Sequence, residues 1–132
     1  MINSSIYNYV NVLDKAADAS WTRNEVLNNN IANVDTPGYK RKDVEFETYL
    51  QEELAGAESS SLAETVAGVE MGHLNATSYT DMTELSYRLD GNNVDIDTEN
   101  VELASNQIKY NAILDSISHQ FNLIKTALNT SN

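Results

Sequence analysis

The stretch from Asn28 to Lys42 constrains the fold most strongly, because a helical pattern of apolar residues stops within it. Residues that oppose helix continuation follow one another closely after Ile31: Asn33, Asp35, Thr36, Pro37 and Gly38. Asparagine tolerates the left-handed conformation in which many helices end, and proline keeps the residue before it extended. The Pro-Gly pair fits the centre of a type II turn. The sequence therefore predicts that a helix ends here and that the chain turns.

Two heptad patterns predict long helices at the two ends of the chain. The first helix is predicted from about Ser5 to Asn33, and its seam positions are Ile6, Val10, Leu13, Ala17, Ser20, Asn24, Leu27, Ile31 and Val34. The second helix has Asp97 or Thr98 as its expected N-cap. Its seam positions are Leu103, Gln107, Tyr110, Leu114, Ile117, Phe121, Ile124 and Leu128. Because a lone helix with polar seam positions is marginal in water, the two helices are expected to pair in coiled-coil fashion.

Three shorter segments are predicted between these helices. Apolar spacing predicts a short acidic helix over Asp43–Leu54. Residues 55–77 are rich in Ala, Gly, Ser and Glu, and ordering them costs about 35 kcal/mol, against about 10 kcal/mol from burying their large apolar side chains. We therefore expect a mobile segment with at most transient helix near residues 62–69. Residues 82–97 alternate around Asp90-Gly91-Asn92-Asn93, which is typical of a small β-hairpin or a tight corner.

The predicted fold class is therefore mainly α. Two long terminal helices pair in coiled-coil fashion, with a short helix, a flexible acidic middle and a small β-hairpin or corner between them. The expected segments are the N-terminal helix (1–35), the turn and short helix (36–54), the flexible acidic segment (55–80), the hairpin or corner (81–97) and the C-terminal helix (98–132).

The sequence carries no signal of catalysis or of metal binding. A calcium loop of the EF-hand type is excluded by register, because Gly91 directly follows the first aspartate, Asp90, whereas that loop needs glycine at its sixth position. No nucleophile elbow, phosphate loop or histidine–carboxylate cluster is present. The absence of cysteine excludes disulfides and thiolate metal sites. We therefore predict neither enzymatic activity nor a cofactor.

Charge is distributed unevenly along the chain, whose net charge is −12. Residues 43–104 carry fifteen acidic residues and one basic residue, whereas residues 1–42 and 105–132 are nearly neutral. Such a chain repels nucleic acid and anionic membranes over its central part. The first residues lack a basic region and a long apolar core, so neither a cleavable Sec-type signal nor a membrane span is expected.

Both predicted terminal helices are rich in asparagine, which is a mediocre helix former. Amides on these faces are useful if the faces are buried against neighbouring molecules, where unpaired charges would be penalised. We therefore hypothesise that the terminal helices build a crowded polymer core, which Asn29→Glu or Asn111→Glu should disrupt.

The segment Leu27–Tyr39 resembles the N-terminal signature of the bacterial flagellar rod and hook proteins, through L-x-N-N-I-A-N-x-x-T-P-G-Y. The segment Arg88–Asp97, the short chain and the absence of a large inserted domain are similar to the proximal-rod members of that family. The resemblance implies an assembly motif formed by Leu27, Asn29, Asn30, Ile31, Asn33, Thr36, Pro37, Gly38 and Tyr39. It implies that a corner motif lies before the last helix, formed by Asp90, Gly91, Asn92 and Asn93.

The resemblance further implies a structural subunit of the basal-body rod, the shaft that transmits torque from the motor to the hook. In that family the terminal helices pair into the inner tube of the axial structure, and subunits leave through the flagellar type III export apparatus without a cleaved signal. The implied partners are other rod proteins, the adaptor FliE and the MS ring, with no nucleic acid and no membrane insertion.

Two alternatives from other classes remain open at this point. A small acidic secretion chaperone or a free-standing coiled-coil adaptor would have a similar composition, and either should be folded, and dimeric, by itself. A rod subunit should be monomeric until it meets its neighbours. The cations Lys40, Arg41 and Lys42 contact either the acidic middle of a neighbouring subunit, which we favour, or only water.

Overall fold

The computed structural model describes residues 4–56, 61–85 and 88–129. Its elements, in chain order, are α1 (Ser4–Ala32), β1 (Lys42–Glu45), α2 (Glu47–Gly56), α3 (Leu62–Ala67), β2 (Thr77–Thr80) and α4 (Ile96–Asn129). The predicted mainly helical fold with two long terminal helices is confirmed. None of the helices in the described ranges is both long and apolar enough to cross a membrane.

Helices α1 and α4 run antiparallel along each other. Asn30 near the end of α1 contacts Glu99 near the start of α4, whereas Ser20, ten residues earlier, contacts Asn106. In addition, the ring of Trp21 packs on that of Tyr110, 6.0 Å away between centroids. The seam predicted for α1 lies in this contact or beside it, and all its members from Val10 to Val34 are buried or half-buried. The side chain of Ile6 lies outside the described part.

In the observed contact of α4, every second seam position lies one residue earlier than predicted. Asn106 and Ile113 are buried in place of Gln107 and Leu114. Leu114, Phe121 and Leu128 were expected in the seam but remain 40%, 56% and 52% exposed. The buried positions of this helix are Glu99, Asn106 and Ile113. Polar residues occupy the contact because they hydrogen-bond to α1, which a pattern of apolar residues does not reveal. Of the other predicted seam positions, Gln107 is also exposed, whereas four are half-buried: Leu103, Tyr110, Ile117 and Ile124.

A two-stranded antiparallel sheet lies between the terminal helices. In it, Lys42 of β1 is opposite Thr80 of β2, and Val44 is opposite Ser78. The predicted helix over Asp43–Leu54 is therefore wrong in its first turn, because residues 43–45 pair with a strand more than thirty residues away. In the described parts of residues 82–95 no strand is present, so the segment around Asp90 forms a corner rather than a hairpin.

The main apolar core lies between α1 and the middle of the chain. Buried Ala19 of α1 packs with Phe46, Val69 and Leu74, and half-buried residues surround them: Val12, Ala16, Tyr49, Leu50, Leu54, Met71 and Ala76. The segment expected to be mobile thus supplies fully buried Leu74 to this core. Its mobility in solution stays a prediction, but the packing of its apolar residues exceeds what composition indicated.

Candidate functional site at the joint of the terminal helices

The turn after α1 has the geometry that its Pro-Gly pair favours. The amide of Tyr39 donates to the carbonyl of Thr36 at 3.2 Å, and Gly38 has a φ of 74°. These are features of a type II turn. The helix end itself differs from expectation, because no non-glycine residue in the described ranges has a positive φ. Asn33 instead closes α1 through its amide, which donates to the carbonyls of Asn29 and Asn30.

The assembly motif and the corner motif meet in space, more than fifty residues apart in sequence. The amide of Gly38 donates to the carbonyl of Asp90 at 2.8 Å. Gly91 follows with a φ of 75°, and a Cβ built on it would lie 3.8 Å from Cα of Gly38. The two backbones therefore approach at a pair of glycines, each in a conformation that other residues rarely adopt.

The side chain of Asn92 binds the turn that follows α1. Its Nδ2 atom lies 2.9 Å, 3.0 Å and 2.9 Å from the carbonyl oxygens of Asn33, Val34 and Thr36. Its Oδ1 atom accepts from the amide of Val94 at 2.7 Å. These carbonyls belong to the turn that follows α1, so this buried side chain connects the turn to the corner motif.

Asn93 joins the beginning of β1 to the chain beyond β2. Its Oδ1 atom accepts from the amide of Arg41 at 2.7 Å, and its Nδ2 atom donates to the carbonyls of Asp81 and Thr83 at 2.9 Å and 2.7 Å. The two corner asparagines therefore bind different parts of the chain: Asn92 binds the turn after α1, and Asn93 binds the segments next to the beginning of β1 and the end of β2.

We call the region where the end of α1, the start of β1, the corner motif and the start of α4 meet the joint. Asn30 is the most completely bonded residue of the joint, with 0% exposure. Its Nδ2 donates to the carbonyl of Lys42 at 2.7 Å and to Oε2 of Glu99 at 2.9 Å. Its Oδ1 accepts from the amide of Lys42 at 2.9 Å and from the hydroxyl of Tyr39 at 3.2 Å. The side chain thus extends the hydrogen bonding of β1 on the edge opposite β2, and connects that strand to α4.

A network of ion pairs surrounds the buried hydrogen bonds of Asn30. Nε of Arg41 lies 2.6 Å from Oε1 of Glu99, and its terminal nitrogens lie 3.2 Å from Asp43 and 3.3 Å from Asp81. The expectation that Arg41 contacts a neighbouring subunit is therefore wrong, because its guanidinium is paired within the chain. Lys42 is exposed and Lys40 is half-buried, so the prediction of a contact with a neighbour now concerns these two lysines.

Arg23 extends the network along α1. Its guanidinium holds both carboxylate oxygens of Asp43, at 2.7 Å and 3.0 Å, and contacts Glu102 of α4 at 2.9 Å. Burial alone would raise the pKa of Asp43. The hydrogen bonds and charges of Arg23, the amide of Val44 and Arg41 outweigh it and hold that pKa below its ordinary value. The carboxylate is therefore kept ionised, which preserves the pairing.

Helix α4 begins two or three residues earlier than predicted, and its capping residue is different. The carboxylate of Asp95 accepts from the amides of Asp97 and Thr98 at 3.1 Å and 3.4 Å, and from the Thr98 hydroxyl. Asp95 therefore caps the helix, and Asp97 and Thr98 lie in its first turn. An aspartate at this position satisfies free amides and interacts favourably with the helix dipole.

The structure brings most of the predicted motif residues into this joint but leaves others facing outward. Leu27 is fully buried and Ile31 half-buried, whereas Asn29 and Pro37 are exposed. The charged partners of the joint were not predicted from the sequence: Arg23, Asp43, Asp81, Glu99 and Glu102. Most of their contacts join residues twenty to eighty positions apart, and no local pattern marks them.

The contacts of the joint connect three elements, α1, β1 and α4. Within residues 4–56, 61–85 and 88–129, no group of three histidine, aspartate or glutamate side chains is placed to hold a metal ion. Its acids are occupied by arginines, asparagine amides and backbone amides. The chemistry of the joint is therefore that of a rigid structural connection.

Comparison with known proteins identifies the family. A family model described as "Flagella basal body rod protein" matches residues 12–40. The flagellar basal body rod protein FlgB of Bacillus subtilis (strain 168) is 36% identical over 129 residues, covering 97% of this chain and 95% of the relative. FlgB of Escherichia coli (strain K12) is 34% identical over 117 residues, covering 83% and 85%. FlgB of Borrelia hermsii is 32% identical over 127 residues, covering 90% and 94%.

These matches, together with the joint of two long helices, define the class as a structural protein of the flagellar basal body rod. Within that class, the chain belongs to the FlgB family. The resemblance noted for Leu27–Tyr39 is thereby confirmed, and residues 12–40 of the family match include the whole of that segment.

Proposed function

We propose that the chain assembles helically through α1 and α4 and helps to form the shaft that transmits motor torque. The observation that carries this proposal is that both sequence motifs are used to fix one helix pair, while amide faces of the same helices stay outward. Asn29 of α1 and Asn111 of α4 are both exposed. Heterologous contacts join different faces of successive subunits, and they generate an open helical assembly when the rotation between subunits does not close a ring.

The proposed neighbours are other rod proteins, the adaptor FliE and the MS ring. We propose that the subunit reaches them through the flagellar type III export apparatus, without a cleaved signal peptide. The apolar residues exposed along α4 support assembly with neighbours, because Ile108, Phe121 and Leu123 are 72%, 56% and 46% exposed. Exposed apolar patches mark interaction surfaces in folded proteins.

The test compares substitutions that add one negative charge at different places. Asn29→Glu and Asn111→Glu should abolish co-assembly with rod partners, which sedimentation measures. Both substitutions should leave the circular dichroism of the free chain unchanged. Gln51→Glu on α2 is the matched control, since Gln51 is also exposed but lies outside the terminal helices. Unimpaired assembly of both asparagine variants would contradict the proposal.

Hydrogen exchange distinguishes this function from the alternative of a secretion chaperone or coiled-coil adaptor. A rod subunit is expected to be monomeric alone, with the exchange of α1 and α4 slowing further in the co-assembly. A stable dimer whose helices are already fully protected would favour the chaperone or adaptor.

The proposed contact of Lys40 and Lys42 with a neighbour's acidic middle needs a test that avoids Arg41. Lys42→Glu reverses an exposed charge and should weaken assembly in a salt-dependent way without unfolding the chain. Arg41→Glu is unsuitable, because it leaves Glu99 buried next to a second carboxylate. Full assembly of Lys42→Glu at low salt would show that this lysine contacts only water.

A further inference from the structure

Helix α4 presents to α1 a face that is not its most apolar one. Glu99 and Asn106, one heptad apart, are 0% and 1% exposed in the contact. Beside this face runs the apolar stripe of Leu114, Phe121 and Leu128, which is 40–56% exposed. A rotation of α4 by roughly half the 100° between successive residues would bring this stripe against α1.

Both orientations would use the same residues at the alternate seam positions. Tyr110, Ile117 and Ile124 are half-buried in the observed contact and also belong to the apolar heptad that contains Phe121. Rotation would uncover Ile113, which is buried in the observed contact, but would cover Leu114, Phe121 and Leu128. Burial of apolar surface therefore favours the rotated arrangement, since each buried CH₂ contributes about 0.8 kcal/mol. Polar contacts must select the observed arrangement.

Asn106 makes such polar contacts one heptad beyond Glu99, outside the joint. Its Nδ2 donates to the carbonyl of Ser20 at 2.8 Å and to Oδ1 of Asn24 at 2.9 Å. Its own Oδ1 is buried and has no hydrogen-bond partner among the described residues. An incompletely paired amide is a poor source of stability, but a single buried asparagine is an effective selector of register in helix pairs.

We propose that Asn106 is a positioning residue that sets the rotation of α4 against α1 and so keeps the Leu114, Phe121 and Leu128 stripe facing outward. In the rotated arrangement its amide would lose the partners on Ser20 and Asn24. Glu99 sets the orientation of α4 at its first turn, and Asn106 sets the same orientation one heptad further along the helix. This inference concerns the free chain and does not depend on assembly.

The test measures orientation separately from stability. The chain has no cysteine, so spin labels on Asp14→Cys and Ser118→Cys, both exposed, report one α1–α4 distance. The unsubstituted chain should give one narrow distance distribution. Asn106→Ala should give a shifted or second distance, because it removes the hydrogen bonds to Ser20 and Asn24 and adds little apolar surface to the observed face.

The single tryptophan gives an independent measurement, because Trp21 packs on Tyr110 of α4. Its emission maximum should shift in Asn106→Ala. Asn100→Ala is the matched control, since it makes the same change at an exposed position of α4 and should change neither measurement.

Asn106→Leu provides a second variant that adds apolar surface to the observed face. It should keep the narrow distance, with an unchanged or higher melting temperature, because an apolar residue replaces an incompletely paired amide. If Asn106→Ala keeps the narrow distance and the emission maximum of the unsubstituted chain, Asn106 does not position α4 and the inference is overturned. A lower melting temperature alone, at an unchanged distance, would likewise assign it only a structural role.

Discussion

Nδ2 of Asn30 on α1 lies 2.9 Å from Oε2 of Glu99 on α4, and both residues are completely buried. The same amide holds the main chain of Lys42, and the same carboxylate holds Arg41. Two helices and a strand thus share one hydrogen-bonded layer. Removing any one member leaves buried polar groups of the others short of a partner, which is more costly than the loss of a single exposed contact.

Asn30→Ala is expected to lower the free energy of unfolding by about 2–4 kcal/mol, because it leaves the main chain of Lys42 and the carboxylate of Glu99 short of partners. Urea unfolding followed by circular dichroism measures the effect. Asn29→Ala, at the exposed neighbouring position, is the control and should change stability by less than about 0.5 kcal/mol. Equal effects at the two positions would contradict the buried layer.

Gly38→Ala and Gly91→Ala are each expected to destabilise the chain by about 1–2 kcal/mol, because both glycines have a positive φ that costs an L-residue energy. Gly72→Ala is the control, since a Cβ there meets nothing within 4 Å and no positive φ is required. Thermal unfolding of the three variants under one condition gives the comparison. A Gly72→Ala variant as unstable as the other two would remove the conformational explanation.

The ion pairs of Asp43 predict a loss of stability in acid. Because its pKa is lowered in the folded state, its contribution is present above the ordinary value of 3.8 and is lost as the pH falls through the lowered pKa. Asp43→Asn should be less stable at neutral pH and should lose stability less steeply on acidification. Unfolding free energies measured from pH 6 downward, at about one-unit steps, test this. Parallel curves for the two proteins would exclude Asp43 as a source of the acid sensitivity.

His73 is expected to titrate above its ordinary value of 6.5. The hydrogen bond and charge of Glu53, 2.8 Å away, and the charge of Glu70 raise its pKa. The stabilisation from this pair is present below the ordinary pKa and is lost as the pH rises through the raised one. An NMR titration of Glu53→Gln should show a lower pKa of His73 than in the unsubstituted chain. Glu52→Gln, at the next position, should leave that pKa unchanged.

Much of this fold could be predicted from local sequence. Pro37 and Gly38 act on the backbone next to them, so the helix end and turn follow from residue type alone. The long helices follow from apolar spacing, and in α1 the residues at the predicted spacing are indeed covered. Leu27, at the centre of the family motif, is fully buried.

The rest depends on contacts that no local pattern encodes. The first turn of the predicted middle helix is a strand because β2 supplies its partner from far along the chain. Glu99 and Asn106 are polar, so a search for apolar positions places them outside the seam, although hydrogen bonds to α1 bury them. For the same reason the joint network was not anticipated, since Arg23 and Glu102 are an ordinary pair of surface charges until the helices meet.

The polar layers described above all lie in the half of the helix pair nearest the joint. Toward the other end, residues such as Val10, Leu13, Ile117 and Ile124 are apolar. A load that separates the outer ends of α1 and α4 breaks apolar contacts one after another and meets the hydrogen-bonded layers last. A load along the helix axes instead stretches those layers together. The pair is therefore mechanically anisotropic, compliant when peeled from its outer end and stiff when sheared along its length.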